Sequence, residues 1–564
     1  MAKNWRSILV LTLIIFFGGA IFARLFYLQI IKGDYYKALA QGQQNYLIQT
    51  KGERGDVFFS QGEVLAMTVQ EPMLVISPKE VENKEEIAEK VSQLIGIDKK
   101  QIIEKIDAAP NSYYEVVKGP ISQEEVEKIE NAKLIGVWID WQPKRYYPKF
   151  ETAAQIIGFI NKDGEAQYGI EKYYNDILEG KEKIKKEKSA PWGFLFSFNN
   201  EKENKGSSIY LTIDYNIQFQ TEKILKEGIE KYEAEGGEII VMEPKTGEII
   251  AMAQYPTFDP NNFQKYDVGL FKNFSIQNLF EPGSIFKPIT MAAALNENVV
   301  TPDTTFVDNS GYVQIGGWKV YNYSQKAWGK RTMTEVLENS INAGVIFAQR
   351  ALGSQKFYDY IEKFGFFEKT GIDLPFEATP QNLELKKAKE HNIEVTFATA
   401  SFGQGVEMTP LQIIQAFCAI ANNGYLPQPM VAKKIVNSNG EQIIEPKIKR
   451  QIIKEDTAST LTNMLVSVVE NGYGKLAKVD GYYIAGKTGT SQVPWTSLGI
   501  NRTGYSDKTW QSFIGFAPAF DPKFVILIKL DNPLKTKTSE YSATPMFHDL
   551  AQYILDYWQI PPQE

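Results

Sequence analysis

The N-terminal segment is the feature that most restricts how this chain can fold. Residues 7–23 (SILVLTLIIFFGGAIFA) carry no charge over 17 positions, and residues 25–31 extend the apolar run. A helix of about 20 apolar residues spans a bilayer, and basic residues that precede it stay on the cytoplasmic side. Because Lys3 and Arg6 precede the run, we predict a cytoplasmic tail at residues 1–6, a single membrane anchor and an extracytoplasmic remainder.

A cleaved signal peptide is the alternative interpretation of this segment. The apolar run is long for a signal peptide, and no convincing small-x-small cleavage site follows it. We therefore favour a retained anchor over residues 7–31, which predicts a single-pass protein of the cytoplasmic membrane.

Composition excludes several classes of function. The net charge of −7 and a pI near 5.4 argue against nucleic acid as a partner. The single cysteine, Cys418, excludes an internal disulfide and a cysteine-rich metal site, and its apolar neighbours predict a buried core thiol. With His391 and His548 far apart in the sequence, neither a metal site nor a cofactor is expected. If a serine is activated in this chain, a lysine is a better candidate base than a histidine.

The length of 564 residues allows roughly two to four domains. The charged run at 181–188 indicates a solvated surface segment, and the polar stretch at 199–208 indicates a linker. We therefore place a domain boundary near residue 206. Beyond it, a β-hairpin turning at Lys245-Thr246-Gly247, a second hairpin near the C-terminus and a closing helix predict an α+β domain with an antiparallel sheet covered by helices.

Ser284 is the only serine in this chain with a lysine three positions later. The pair follows Pro-Gly and precedes a continuous apolar run, which predicts a helix start with Ser284 and Lys287 on the same face. A lysine can deprotonate a serine only when it is neutral, so its pKa must fall from about 10.4 toward 7. Burial and a neighbouring cation both lower a lysine pKa. A second lysine is therefore expected in such a site.

Two other short patterns offer that lysine and its polar neighbours. Lys-Thr-Gly occurs three times, at residues 245–247, 369–371 and 487–489. The third continues into Thr490, and a strand edge with threonine hydroxyls and a lysine suits the binding of a carboxylate. Ser340-Ile341-Asn342 lies in a predicted helical segment, and a second Ser-x-Asn occurs at 197–199. Each pattern is weak alone, but the order S-x-x-K, S-x-N, K-T-G-T is that of penicillin-binding proteins and class A β-lactamases.

With these motifs, the chain resembles the class B penicillin-binding proteins, which are membrane-anchored transpeptidases of peptidoglycan synthesis. The resemblance spans nearly the whole chain, through LTIDYNIQ, EPGSIFKP, ENSINAG, TGIDLP, SFGQGVEMTPLQ, GKTGTSQVP, FIGFAPAFDP, RYYP, YGIEKYY and RGDVFFSQGEVLA. The last of these departs from the family, which usually has a charged Asp-Arg pair in place of Phe59-Ser60. The resemblance implies an elongated pedestal (dimerisation-like) domain over 32–205 and a penicillin-recognising serine transpeptidase domain over 206–564.

The resemblance also implies catalytic roles for five residues. Ser284 would attack the penultimate D-alanine carbonyl of a stem peptide and form an acyl-enzyme, and Lys287 would take the serine proton. Ser340 and Asn342 would relay protons and position the substrate amide, while Lys487 would hold this network electrostatically. An amine from a neighbouring stem peptide would then resolve the ester and form a cross-link.

The same resemblance implies how the substrate is held. Thr488, Gly489 and Thr490 would bind the substrate, with Thr488 and Thr490 holding its terminal carboxylate, or that of a β-lactam antibiotic acting as an inhibitor. The backbone N–H groups of Ser284 and Thr490 would form the oxyanion hole. Since no glycosyltransferase domain fits in the N-terminal region, a membrane glycosyltransferase of the SEDS type is implied as a partner.

Two alternatives stay open at this stage. One is a β-lactamase or D,D-carboxypeptidase on the same fold, and the other is a non-catalytic β-lactam sensor or scaffold. The anchored pedestal disfavours the first and the intact motif set disfavours the second. A division role and an elongation role are both compatible with the sequence.

Overall fold

The computed structural model describes residues 5–32, 45–189, 195–196 and 205–563. The chain divides into two compact units. The smaller comprises residues 1–54 and 179–206, and the larger comprises residues 55–178 and 207–564.

The smaller unit contains the predicted anchor. An α-helix over Trp5–Phe26 continues as a π-helical turn over Tyr27–Ile31. Its stretch Leu9–Ile30 has a mean hydropathy of 2.3 and is unburied, so its length and composition suit a membrane span.

The smaller unit also contains a short antiparallel sheet. The strand Gly180–Ser189 pairs with Asn45–Gly52 on one side and with Leu195–Phe196 on the other. The charged run at 181–188, predicted as a surface segment, is therefore a β-strand. Most of the predicted linker, residues 199–204, lies outside the described residues.

In the larger unit, residues 55–178 build a sheet with helices on one face. The long strand Val64–Ile76 pairs with Val137–Tyr146 and with Glu115–Lys118. Leu74 and Ile76 of the long strand pack in a core with three helices, which span Lys84–Ile95, Lys99–Ala108 and Gln123–Ala132. Asn83, Asp98 and Ser122 cap these helices through their side chains, in agreement with the usual preference for such residues at helix N-termini.

Residues 207–564 contain a five-stranded antiparallel sheet, as the sequence predicts. The strands, in spatial order, are Ile249–Tyr255, Gly236–Met242, Phe524–Asp531, Tyr505–Ala517 and Ala485–Pro494. Both faces of this sheet are covered, and the three strands Gly236–Met242, Ile249–Tyr255 and Phe524–Asp531 are almost entirely buried. Ile239 and Val241 contribute to a core with the helices Tyr215–Tyr232 and Ala543–Tyr557, whereas Ile240 and Met242 contribute to the core on the opposite face.

The opposite face carries the helices that position the site. The helix Pro410–Ala421 is buried along its whole length, and Cys418 within it is a free, buried thiol, as predicted.

The larger unit also contains further helices and short strands. Its α-helices, apart from those already named, are Ala154–Ile157, Gly169–Tyr173, Asn175–Leu178, Phe274–Gln277, Lys287–Asn296, Met333–Glu338, Asn342–Leu352, Ser354–Lys363, Leu383–His391, Glu394–Ala400 and Glu455–Asn471. Short strands outside the main sheet are Val57–Phe58, Phe159–Ile160, Ala166–Gln167, Ser208–Leu211, Thr305–Asp308, Tyr312–Ile315, Trp318–Tyr321, Gly329–Thr332, Tyr425–Pro427, Ala432–Asn437, Gly440–Ile443 and Ile448–Gln451.

The atypical Phe59-Ser60 pair has a packing role. Phe59 is fully buried, and its ring lies 5.2 Å from that of Tyr215. The Ser60 backbone N–H donates to the Ile213 carbonyl at 2.9 Å. An apolar side chain at position 59 therefore packs the segment around residues 57–60 against the start of the long helix Tyr215–Tyr232.

Candidate active site

Ser284 lies in a 3₁₀ turn, Gly283–Phe286, which leads directly into the helix Lys287–Asn296. Gly283 has φ +58, and its N–H donates to the Gly403 carbonyl at 3.1 Å. A Cβ on Gly403 would lie 2.2 Å from the Gly283 oxygen, so the two backbones can approach this closely only because residue 403 is a glycine. The Ser401–Gly405 segment therefore supports the turn that presents Ser284.

Lys287 begins the helix, and its side chain is completely buried. Its Nζ donates to the Ser340 hydroxyl at 3.1 Å and also to the Ser340 carbonyl. Burial, and then the charge of Lys487, hold the pKa of Lys287 well below its usual value. These are the two causes that the sequence argument required of a lysine base.

Ser340 lies in a bend between two helices, Met333–Glu338 and Asn342–Leu352. The sequence prediction that Ser-x-Asn lies inside a helical segment is therefore wrong, because Ser340 has φ +53 and interrupts the helix. The bend lets its hydroxyl reach both site lysines. Asn342 starts the second helix, and its Nδ2 donates to the Tyr321 carbonyl at 3.0 Å.

Lys487 lies on the strand Ala485–Pro494, named here the KTG strand, and is also fully buried. Its Nζ donates to the Ser340 hydroxyl at 3.0 Å and to the Thr488 carbonyl at 3.1 Å. Burial lowers the pKa of Lys487 to about 7. Two buried lysines thus meet at one serine hydroxyl, and neither has a carboxylate within ion-pair distance among the described residues.

Gly489 brings the KTG strand into contact with the serine turn. A Cβ at this position would lie 2.8 Å from a methyl carbon of Ile285 and 2.6 Å from the Ser512 hydroxyl. The missing side chain therefore allows Thr488 and Thr490 to line the same cavity as Ser284. The Thr490 hydroxyl accepts a hydrogen bond from the Ser539 backbone N–H at 3.1 Å.

The other copies of the motifs do not form a comparable site. The hydroxyls of Thr246 and Thr370 each donate at 2.5 Å to a nearby glutamate, Glu243 and Glu377 respectively. The first of these Lys-Thr-Gly segments is a turn and the second is a loop, and both are held by local hydrogen bonds. The second Ser-x-Asn, at 197–199, lies outside the described residues.

The motif residues surround a cavity of about 1100 Å³. It is lined by Ser284, Ser340, Asn342, Thr488 and Thr490, and also by exposed aromatic residues of the surrounding loops. Among the charged residues of this lining, Lys319, Lys326 and Lys537 outnumber Glu540, so the cavity is positive in a chain whose net charge is −7. Such a cavity attracts ligands that carry carboxylates.

Glu281 is a part of the site's framework that the sequence argument missed. It is buried, its carboxylate accepts from the Tyr505 hydroxyl at 2.9 Å, and its carbonyl accepts from the Ser491 hydroxyl at 2.8 Å. Burial raises the pKa of Glu281 to about 7. Glu281 therefore connects the serine turn to the KTG strand, through Ser491, and to the neighbouring strand Tyr505–Ala517, through Tyr505. Its position directly before Pro-Gly-Ser was the only feature of the sequence that could have indicated this role.

No group of three or more histidine, cysteine, aspartate or glutamate side chains within the described ranges could hold a metal ion.

This fold and this lysine–serine site define a class of acyl-transferring serine enzymes, and the comparisons with known proteins identify the family. Residues 237–552 match the penicillin binding protein transpeptidase domain, and residues 49–211 match the penicillin-binding protein dimerisation domain. The chain belongs to the penicillin-binding protein transpeptidase family, with the class B arrangement of domains.

Individual relatives match over most of their length. The chain is 31% identical to stage V sporulation protein D of Bacillus subtilis, over 93% of this chain and 82% of that protein. It is 29% identical to a probable peptidoglycan D,D-transpeptidase, PbpC, of Pseudomonas aeruginosa, over 99% and 96%. Among solved structures, it is similar to penicillin binding protein 3 of Mycobacterium tuberculosis complexed with aztreonam, with a TM-score of 0.70, 26% identity and coverage of 92% and 98%.

Proposed function

We propose that this chain is a serine-type peptidoglycan D,D-transpeptidase that cross-links stem peptides through an acyl-enzyme at Ser284 and is acylated there by β-lactams. The observation that carries the proposal is the convergence of two buried lysines, Lys287 and Lys487, on the Ser340 hydroxyl beside the turn that holds Ser284. Relatives named as D,D-transpeptidases and the match to the transpeptidase domain support it.

In the first half of the reaction, neutral Lys287 accepts the Ser284 proton as Oγ bonds to the penultimate D-alanine carbonyl carbon. The peptide bond then breaks, and the proton passes to the departing amine of the terminal D-alanine. The Ser340 hydroxyl, which is hydrogen-bonded to both lysine amines, can carry a proton between them. General acid–base assistance of this kind contributes a factor of about 10² to 10⁴ in rate.

Substrate binding uses the KTG strand. Thr488 and Thr490 bind the terminal carboxylate, Gly489 keeps the strand against the serine turn, and Asn342 positions the substrate amide. The backbone N–H groups of Ser284 and Thr490 stabilise the oxyanion. The positive cavity supports this assignment because the substrate is an anion.

A β-lactamase would need an additional base that positions water for deacylation. Glu281, the buried carboxyl nearest in sequence to Ser284, bonds to Tyr505 and is not among the residues that line the cavity. We therefore expect the penicilloyl ester to persist for many minutes.

The test is covalent labelling of the purified protein with a fluorescent penicillin, followed by peptide mapping. We expect the adduct on Ser284, and we expect Ser284→Ala to abolish labelling with little change in melting temperature, because a half-buried hydroxyl without a hydrogen-bond partner in the described chain adds little stability. Full labelling of Ser284→Ala, or rapid multiple-turnover hydrolysis of penicillin, would contradict the proposal.

We further propose that residues 7–31 anchor the protein with residues 1–6 in the cytoplasm, and that 32–205 and 206–564 are the pedestal and transpeptidase domains. The apolar helix Leu9–Ile30 supports this topology. A reporter at the C-terminus should be active only outside the cytoplasm, and protection of the catalytic domain from protease in spheroplasts would contradict this topology.

Cross-linking should also require a SEDS-type membrane glycosyltransferase, because the glycan strand has to come from a partner. Cross-linked dimers formed from lipid-linked substrate without that glycosyltransferase would contradict this requirement.

A further inference from the structure

Three tyrosines and a carboxylate form a cluster on the wall of the active-site cavity. Tyr323, Tyr473, Tyr541 and Glu540 all line the cavity, and the three tyrosines are 65%, 39% and 58% exposed. Burial raises the pKa of Tyr473, with further contributions from Glu540, Tyr323 and Tyr541, as expected when the four side chains are near one another. Within the described ranges, none of these three rings pairs with another aromatic ring or with a basic side chain. We call this group the tyrosine cluster.

The loop that carries Glu540 and Tyr541 is tied to the KTG strand. Ser539, which is 1% exposed, donates its backbone N–H to the Thr490 hydroxyl at 3.1 Å. The Ser539 carbonyl accepts from the Thr544 hydroxyl at 2.8 Å, which fixes the loop to the start of the C-terminal helix. Glu540 and Tyr541 therefore follow directly after a residue that contacts the proposed carboxylate-binding threonine.

The other two tyrosines are tied to the Ser-x-Asn bend. The Tyr473 backbone N–H donates at 3.1 Å to the carbonyl of Glu338, two residues before Ser340. Tyr323 follows Asn322, whose side-chain oxygen accepts from the Ala343 N–H at 2.9 Å. Backbone or side-chain hydrogen bonds thus place each member of the tyrosine cluster beside one of the motifs.

The place and chemistry of the tyrosine cluster match the second substrate of the proposed reaction. In acyl transfer at a serine, the incoming amine takes the place of the departing amine, so the acceptor must bind beside the groups that held the departing D-alanine carboxylate. Aromatic faces together with a carboxylate attract alkylammonium groups. Glu540 has no ion-pair partner in the described part of the chain, so its charge is available to a ligand.

We propose that Tyr323, Tyr473, Tyr541 and Glu540 form the acceptor subsite, which binds the primary ammonium group of the second stem peptide. The inference rests on the proposed transpeptidase function. The bound ammonium loses one proton to solvent, and its nitrogen then bonds to the acyl carbon. The ester bond to the Ser284 oxygen breaks, and a second proton from the nitrogen returns to that oxygen, giving an amide and a free serine.

The experiment uses the full chain in detergent with a D-alanyl thioester as donor and Nα-acetyl-lysine amide, whose one amine is the side-chain amine, as acceptor. The readout is the ratio of amide to acid product, which does not depend on how fast the acyl-enzyme forms. Tyr541→Ala, Tyr323→Ala and Glu540→Gln should each lower this ratio roughly tenfold, the loss expected from one cation–π or ionic contact.

Matched variants separate recognition from structural damage. Tyr541→Phe retains the ring and should keep the ratio within about twofold of wild type. Tyr425→Ala removes another exposed tyrosine, 42% accessible, that does not line the cavity, and should leave the ratio unchanged. Penicillin labelling reports that each variant is folded. Tetramethylammonium, which cannot react, should reduce amide formation in the wild type.

The proposed subsite would be wrong if the amide-to-acid ratio of all three cluster variants equalled that of the wild type. It would also be wrong if Glu540→Gln formed less acid product while its amide formation stayed unchanged. Failure of the wild type to release thiol from the donor would instead overturn the proposed function itself. The two failures are therefore distinguishable in one assay.

Discussion

Three lysines are buried in the catalytic region, and they fall into two groups. Lys529, on the strand Phe524–Asp531, contacts Asp531 at 2.6 Å and Glu238 at 3.2 Å. Burial acts to lower its pKa, but the charges of Asp531 and Glu238 outweigh burial and raise that pKa above its usual value. Lys287 and Lys487 are buried as completely, yet their pKa values are lowered.

The comparison shows that burial alone does not decide whether a lysine is charged. A carboxylate partner keeps Lys529 charged, and the removal of one member of such a buried pair is strongly destabilising. Around Lys287 and Lys487, by contrast, the hydrogen-bonding neighbours are hydroxyls and carbonyls. A lysine in those surroundings can be neutral near pH 7 and act as a base.

The largest expected effect comes from removing one lysine of each group. Lys287→Met should lower the second-order rate constant of acylation by penicillin by a factor of about 10² to 10⁴, because the base is lost. Lys529→Met should leave acylation of the folded protein unchanged but lower its stability by up to about 3–5 kcal/mol, because the buried Glu238 carboxylate and the partly exposed Asp531 carboxylate lose their partner. Acylation kinetics and melting curves measure the two effects. Normal acylation by Lys287→Met, or slow acylation by folded Lys529→Met, would contradict the division of the buried lysines into two groups.

A smaller effect should follow from placing a carboxylate between the two site lysines. Ser340 has the left-handed backbone that Asp and Asn tolerate, so Ser340→Asp and Ser340→Asn form a matched pair. A neighbouring carboxylate raises a lysine pKa by about 1–3 units, so at neutral pH the Asp variant should acylate more slowly than the Asn variant, by up to about 1000-fold. The difference between the acylation rates of the two variants should become smaller above about pH 10, where lysine loses its proton. Equal acylation rates for both variants at pH 7 would show that lysine charge does not limit the reaction.

The motifs and the antiparallel sheet could be predicted from sequence because each depends on local pattern. Ser284 with Lys287, and the KTG strand beside the C-terminal hairpin, are continuous segments with recognisable periodicity. The convergence of Ser284, Ser340 and Lys487 is not local, and only the resemblance to a family indicated it. The environment of the lysines, including the absence of a nearby carboxylate in the described chain, required the structure.

The bend at Ser340 and the contact of Ser539 with Thr490 could not be predicted from the sequence, for physical reasons. The bend at Ser340 was misassigned to a helix because ENSINAGVIFAQRA has helical periodicity and no proline or glycine at the break. Ser539 carries no motif, and its contact with Thr490 depends on how the segment before the C-terminal helix folds back. The domain boundary near residue 206 remains a prediction.

The pH dependence of penicillin acylation tests the claim of a neutral lysine base most directly. Burial holds the Lys287 pKa well below its usual value and lowers that of Lys487 to about 7. The second-order rate constant should therefore be on a plateau from about pH 8 upward, and it should fall only at lower pH, where the lysines gain protons. Because Lys287 and Lys487 interact, the inflection belongs to the pair. A rate constant that still rises tenfold per pH unit toward about pH 10, as an ordinary lysine would require, would contradict the account.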